Sequence, residues 1–316
     1  MTLAVAGTIA VLSAVVLQYT YVGNMSFTYS MGRFAAPYGN AIQCGPLQAL
    51  LAMVFSVVLA LALAGGKRDL FHDVLPGKLR LYFTMVNMLE ASLLALVYTN
   101  DVFTGYVFIE ISTIAACALV IGQGQRAQPH RHHPVFIYEP FGLGAVSHRT
   151  DAAQQHHRLS PDALPAQACE LAESGAYRIP LTVSVGLIIG GLGIKSAMFP
   201  FHLWLPDAHG GATTASSAML SGLVLKGYIV LMITMMMRVF SLELMGELGV
   251  TNVILIFGLL GMILGSLEAM REYHVKRMLA YSSVAQIGYI FMGLGLGTTA
   301  GVVASCFHIL VHACCK

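Results

Sequence analysis

The sequence predicts an all-α polytopic membrane protein, on three observations. Of its 316 residues, 57% are hydrophobic and only 10% are charged, whereas soluble domains carry about 25% charged residues. Apolar runs that approach the roughly 20 residues a membrane helix needs recur along most of the chain. One of them, IIGGLGIKSAMFPFHLWLPDAHGG (Ile188–Gly211), carries an internal lysine five residues ahead of a proline, the pattern of a broken membrane helix.

The candidate spans, in order, are Thr2–Gln18, Leu47–Gly65, Leu81–Thr99, Val102–Ile121, Pro180–Phe199, Ala215–Met237, Val250–Glu268, Met278–Leu296 and Thr299–Lys316. The first begins at once with apolar residues and has no basic flank, so it reads as a span and not as a cleaved signal. Tyr19–Pro46 is rich in aromatics, Gly and Pro and reads as an extended, hairpin-like segment whose tyrosines suit a membrane interface.

Basic loops orient the chain. Gly66–Arg80 carries Lys67, Arg68, Lys78 and Arg80 and is expected on the cytoplasmic side. The other short basic loop, Arg271–Arg277, then falls outside unless one more crossing lies between Gly122 and Arg178. No window there is long and apolar enough. Gly122–Tyr177 is polar and holds six of the twelve histidines, in text such as GQGQRAQPHRHHP. Three readings stay open for it: a true polar loop, a poor span rescued by neighbouring helices, or text from a shifted reading frame. His130, His132 and His133 resemble a histidine-rich metal tract, but no matching ligand set accompanies them. The layout is therefore 1–121, N-terminal membrane helices; 122–177, a polar irregular segment; 178–316, further membrane helices. The closing FHILVHACCK is mid-helix in character, and the chain is expected to be a fragment.

Ionisable residues inside the apolar runs carry the chemistry. A charge at the bilayer centre costs about 2.5–3.5 kcal/mol on insertion scales, so such residues face partners or hydrated cavities. Lys195 sits beside the expected break, because Pro200 offers no N–H to the Ser196 carbonyl, and freed carbonyls in a membrane need protein or water nearby. Lys226 interrupts SGLVLKGYIVLMI too deeply to snorkel from an end. Glu110, in TNDVFTGYVFIEISTIAACALV, is the expected partner of Lys195: paired, the lysine keeps its proton, and separated, it can release it. Glu90, in VNMLEASLLAL, is a further intramembrane carboxylate, either lining a channel or serving helix packing. His308, His312 and Lys316, four apart, share one helix face and form a relay candidate. Ser282, Ser283 and Gln286 read as helix–helix contacts.

Other chemistry is not indicated. The six cysteines show no CxxC pair. GGLGIKS lacks the glycine a phosphate loop places before its lysine, and GLGLGTTAG follows no strand. Neither cofactor nor metal is expected, and a net charge of +2 gives no reason to expect nucleic acid.

The stretches GIKSAMFPFHLWLPDAH, SGLVLKGYIVLM, TNDVFTGYVFIEI and VKRMLAYSSVAQIGYIFMGLG resemble the antiporter-like proton-translocating subunits. That family includes the large membrane subunits of respiratory complex I, those of membrane-bound hydrogenases, and the D-type member of the Mrp-type sodium/proton antiporters. YVFIEI and FHILVHACCK look closest to the last of these. The likeness covers most of the chain except Gly122–Tyr177. It implies a bundle of two inverted five-helix repeats, each with a broken helix. By the same likeness, Glu110 corresponds to the glutamate partnering the broken-helix lysine, Lys195 to that lysine, and Lys226 to the lysine of the next helix. His308, His312 and Lys316 correspond to the central hydrophilic axis. The second repeat's broken helix has no counterpart here.

The resemblance implies a multi-pass subunit in a cell membrane, that of a prokaryotic inner membrane, moving protons with Na⁺ open as a second cation. It would do no redox chemistry of its own. Its partners would be the lipid bilayer and other membrane subunits of an antiporter or of a complex I-like NADH:quinone oxidoreductase or hydrogenase. Two alternatives stand beside it: an inactive structural subunit, and an unrelated secondary transporter with a midplane substrate site.

Overall fold

The computed structural model describes residues 1–31, 41–100, 102–121 and 178–316. The expectations for Gly122–Tyr177, including His130, His132 and His133, lie outside them, and so does the extra crossing on which the loop orientation turns. The described elements run α1 (Thr2–Val22), β1 (Phe27–Ser30), β2 (Ala41–Cys44), α2 (Pro46–Gly65), α3 (Lys67–Asp73), α4 (Leu79–Tyr98), α5 (Val102–Ile121), α6 (Arg178–Lys195), α7 (Trp204–Gly211), α8 (Thr214–Met219), α9 (Leu225–Arg238), α10 (Leu242–Glu247), α11 (Val250–Arg271), α12 (Val275–Gly295) and α13 (Thr299–Cys315). Each of the nine predicted spans is found as a helix. Among the described residues, seven spans are long and apolar enough to cross a membrane, α8 and α9 together making one of them, while Leu181–Lys195 and Thr299–Cys315 are shorter apolar helices.

The extended segment is a two-stranded antiparallel hairpin pairing Phe27 with Cys44 and Ser30 with Ala41. Its Phe27 and Tyr29, like Tyr19 and Tyr21 at the end of α1, are exposed. The short helix α3 was not foreseen. It occupies the basic loop, where Asp69 accepts a hydrogen bond from Thr214 Oγ1 at 2.9 Å.

By packing, the described residues fall into two units. The first holds residues 1–31, 41–100, 102–121, 207–227 and 310–316, and the second holds 178–206 and 228–309. In the first, α2 packs against α1 and α4, and α4 against α5. Ser216 ties α8 to α4. Its hydroxyl meets Tyr82 Oη at 2.9 Å and Thr213 Oγ1 at 2.9 Å, and its backbone N–H donates to Thr213 Oγ1 at 3.2 Å, capping α8.

In the second unit, α11 and α12 form an antiparallel pair with a glycine seam. A Cβ at Gly258 would stand 2.5 Å from the Met292 backbone nitrogen, and one at Gly265 would stand 2.9 Å from that of Ala285. Lipid tails are as apolar as leucine, so helices in a membrane associate through close van der Waals packing, which small residues permit. Gly261 extends the seam to the broken-helix segment, since a Cβ there would lie 3.2 Å from Phe199 Cβ.

The break sits where the sequence placed it, but α6 ends at Lys195 and not at Phe199. The cause precedes Pro200. Ala197 is left-handed, with φ 56°. Its N–H donates to the Ile194 carbonyl at 3.2 Å, and the Met198 N–H donates to Gly193 at 2.9 Å. Those two bonds are a Schellman closure with alanine where glycine is usual. Trp204 Nε1–H adds a bond to the Ile194 carbonyl at 3.2 Å, and Phe201 N–H donates to Met198 at 2.7 Å, so carbonyls at the break find partners. The Phe199–Pro200 peptide is cis.

Two outcomes follow for thermal unfolding in detergent. Gly258→Val should destabilise by at least about 2–3 kcal/mol, as overpacking does, whereas Gly186→Ala, with open space around it, should be neutral or stabilising by up to about 1 kcal/mol. Ala197→Gly should remove most of the left-handed penalty, about 1 kcal/mol, whereas Ala197→Val should destabilise further.

Candidate functional site

In the first unit the site is built around a change of helical pitch. Between α8 and α9, Leu220–Val224 form a π turn, with the Leu225 N–H reaching back five residues to the Leu220 carbonyl. Such insertions recur at functional sites. Lys226 follows it and is 0% exposed. Helical side chains lean toward the N-terminus, and the Lys226 ammonium folds back to donate to the Ser221 carbonyl. Among the described residues, no carboxylate pairs with it.

Glycines admit the neighbours on either side. A Cβ at Gly222 would lie 3.3 Å from Val58 Cγ1 of α2 and 3.8 Å from the Ala313 carbonyl of α13. One at Gly227 would lie 2.6 Å from Leu93 Cδ2 of α4. Lys316 is close enough for its charge to act on Lys226. His312 is buried.

Two carboxylic acids belong to the same unit. Glu90, on α4, is 5% exposed, and neither carboxyl oxygen has a hydrogen-bond partner among the described residues. The buried Ser56 hydroxyl of α2 faces it without hydrogen-bond geometry. Glu110 is half-buried on α5, one turn beyond Tyr106. His209, at the end of α7, is buried and its Nδ1 meets Ser217 Oγ at 2.6 Å.

In the second unit, Lys195 is the last residue of α6 and is 8% exposed. Seven residues on, His202 follows the break. It is 2% exposed, its Nε2 is 3.0 Å from Glu268 Oε2 on α11, and its ring stacks on Phe199 with centroids 5.3 Å apart. His308 Nε2 lies 2.8 Å from Gln286 Oε1 of α12, and its ring contacts Tyr289. The histidine that sequence reading treated as a relay and the glutamine it treated as a helix–helix contact are thus bonded to each other.

Glu110 and Lys195 fall in different units. Sequence reading missed His202, Glu268, His209 and Ser217. A signal was present for His202, a titratable side chain in the apolar FPFHLWLP stretch. Glu268 looked like the polar end of a span.

Residues 165–316 match the family described as NADH:quinone oxidoreductase/Mrp antiporter, TM. A subunit N of NADH-quinone oxidoreductase from Desulforudis audaxviator is 29% identical over 98% of this chain and 61% of its own length. An NAD(P)H-quinone oxidoreductase chain 4-3 from Nostoc is 35% identical over 45% of this chain and 26% of its own. The chain thus spans about three-fifths or less of the length of these relatives. Among solved structures, a chain of an archaeal respiratory membrane complex, the membrane-bound sulfane sulfur reductase, superposes with TM-score 0.81 at 25% identity, covering 99% of this chain and 62% of that one. A chain of the Mrp complex from Dietzia superposes with TM-score 0.78 at 23% identity, covering 99% and 57%, and so shares its fold. Lys195, Lys226 and the helix break all lie within residues 165–316, the part of the chain that matches the NADH:quinone oxidoreductase/Mrp antiporter transmembrane family.

Proposed function

We propose that this chain is a proton-translocating subunit of a multi-subunit membrane assembly, an Mrp-type antiporter or a redox-linked pump. Protons pass along Glu110, Lys195, Lys226, His308, His312 and Lys316, with Glu90 as a further proton-handling carboxyl group. The chain holds no redox chemistry of its own. Partner subunits or an ion gradient drive it, and Na⁺ is the other cation an antiporter would exchange. Such a subunit sits in the cell membrane, the inner membrane of a prokaryote.

The observation that carries this reading is Lys226. A lysine at full burial, bonded to a backbone carbonyl and with no carboxylate partner among the described residues, is expensive to keep as a permanent cation. It is a reasonable feature of a group that gains and loses a proton, with Lys316 near enough to couple to it. The family match and its relatives among quinone oxidoreductases support the same reading.

Arginine substitution separates this from a structural role. Arginine stays charged in every state and cannot pass a proton on, yet it would replace a structural cation well. In the complete assembly, Lys195→Arg and Lys226→Arg should each lower potential-driven proton uptake into proteoliposomes by about 10²-fold or more, the range for positioned acid–base groups, with assembly retained on a native gel. Lys195→Ala should do the same. Near-normal uptake in the arginine variants would make both lysines structural and favour the inactive-subunit reading. Repeating the assay with and without Na⁺ tests the second cation.

A further inference from the structure

At the end of the α11–α12 pair, titratable groups run from the exposed turn to the helix break, all within one packed unit. Glu272 opens the series. Its carboxylate accepts from the His274 and Tyr273 N–H groups at 3.2 and 3.1 Å, and from Arg277 Nε at 3.0 Å. Those bonds, that of His274 first, hold its carboxyl below the usual carboxylate range. Arg277 in turn lies near enough to Tyr281 for its charge to act there, as does that of Glu268. The Tyr281 ring meets the His202 imidazole edge-on at 6.3 Å. Glu268 then meets His202.

The two members of the last pair differ in environment. Glu268 lies in the last turn of α11, three residues before Arg271, and its side chain is 37% exposed, against 3% for His202. The outer member is thus at the end of the helix where the polar turn Glu272–His274 begins. The inner member is enclosed, and its Nδ1 is buried without a hydrogen-bond partner among the described residues. An orphaned polar atom in such a place is costly to keep. The segment that carries it is fixed on both sides, by Phe199 against the glycine seam and by Trp204 on the Ile194 carbonyl.

We propose that His202 and Glu268 form a proton port joining the solvent at the α11–α12 turn to the interior beside the broken helix; this rests on the proton-translocation reading above. With Glu268 ionised, His202 carries its hydrogen on Nε2 and donates it to the carboxylate, leaving the Nδ1 lone pair toward the buried side. A protonated water on the buried side gives its proton to Nδ1 and makes the imidazolium, and the Nε2 proton passes to Glu268, which releases it to water. Each transfer makes one N–H or O–H bond and breaks one, and exchange of the remaining hydrogen from Nδ1 to Nε2 through water resets the pair. Tyr281 and Arg277 from α12 and Glu272 from the turn are the charged and titratable groups that tune the pair. Histidine suits such an exchange because its unperturbed titration falls near neutral pH.

The test uses the complete assembly in proteoliposomes, with Lys226→Ala as reference. Glu268→Gln and His202→Gln should each cut proton uptake by about 10²-fold. Both should also flatten the dependence of the rate on pH. Glu268→Asp should restore most of the rate. Because either amide variant could loosen the turn, Glu272→Gln and Arg277→Gln serve as structural controls: they disturb the same turn and, as groups that tune the pair, should displace the pH profile without flattening it. If Lys226→Ala abolishes uptake while Glu268→Gln and His202→Gln keep the wild-type rate and profile, the port is wrong and the broader reading stands. If Lys226→Ala has no effect, the broader reading itself fails. If His202→Gln and Glu268→Gln do not assemble and Glu268→Asp assembles with an unchanged rate and an unchanged profile, the pair is a structural clamp and the proposal is overturned.

Discussion

Desolvation of a cation inside an apolar helix is the constraint on which the first unit depends. Lys226 has no exposure and, among the described residues, no carboxylate beside it, so its hydrogen bonding must come from the backbone. An ordinary α-helix has few carbonyls to spare, because each accepts from the residue four ahead. The π turn at Leu220–Val224 changes that geometry just before Lys226, and the Ser221 carbonyl receives the ammonium. Gly222 and Gly227 then let α2, α4 and α13 close over the turn without Cβ atoms in the way. The widened turn, the two glycines and the enclosing helices are one solution to one electrostatic cost.

The second unit solves the complementary problem of a helix that stops inside the apolar region. Ending α6 at Lys195 exposes carbonyls that water cannot reach in a membrane. The left-handed Ala197, the Trp204 indole and the N–H groups of Met198 and Phe201 satisfy several of them. The following segment is then held by Phe199 on the glycine seam and by His202 on Glu268. The rigid α11–α12 pair is thus the wall against which the broken helix is placed. Close backbone approach along Gly258, Gly261 and Gly265 makes that wall stiff.

Much of this was legible in the residues alone. Apolar runs gave the spans, because length and hydropathy suffice for a membrane helix. Charges within those runs singled out Lys195, Lys226, Glu110 and Glu90, because desolvation is a property of local text. What escaped was set by geometry. The π turn has no residue signature in SGLVLK. Ala197 broke the expectation that a left-handed helix end carries glycine, so the break was ascribed to Pro200, three residues late. His202 and Glu268 are far apart in sequence, and each alone resembled a polar residue near a helix end. The glycines of α11 and α12 read as members of apolar runs, since only the facing helix reveals that a Cβ there would strike backbone.

The central claim is that Lys226 changes its protonation in place and is not a permanent buried cation. The direct measurement is the ¹⁵N resonance of the Lys226 ammonium in the assembled complex, reconstituted in bilayers and followed across pH and with an applied ion gradient. Titration in place predicts a resonance that moves between the ammonium and amine positions as conditions change, and that moves differently in Lys316→Ala, because the neighbouring charge is gone. A resonance fixed at the ammonium position under every condition, while the complex still translocates protons, would contradict it.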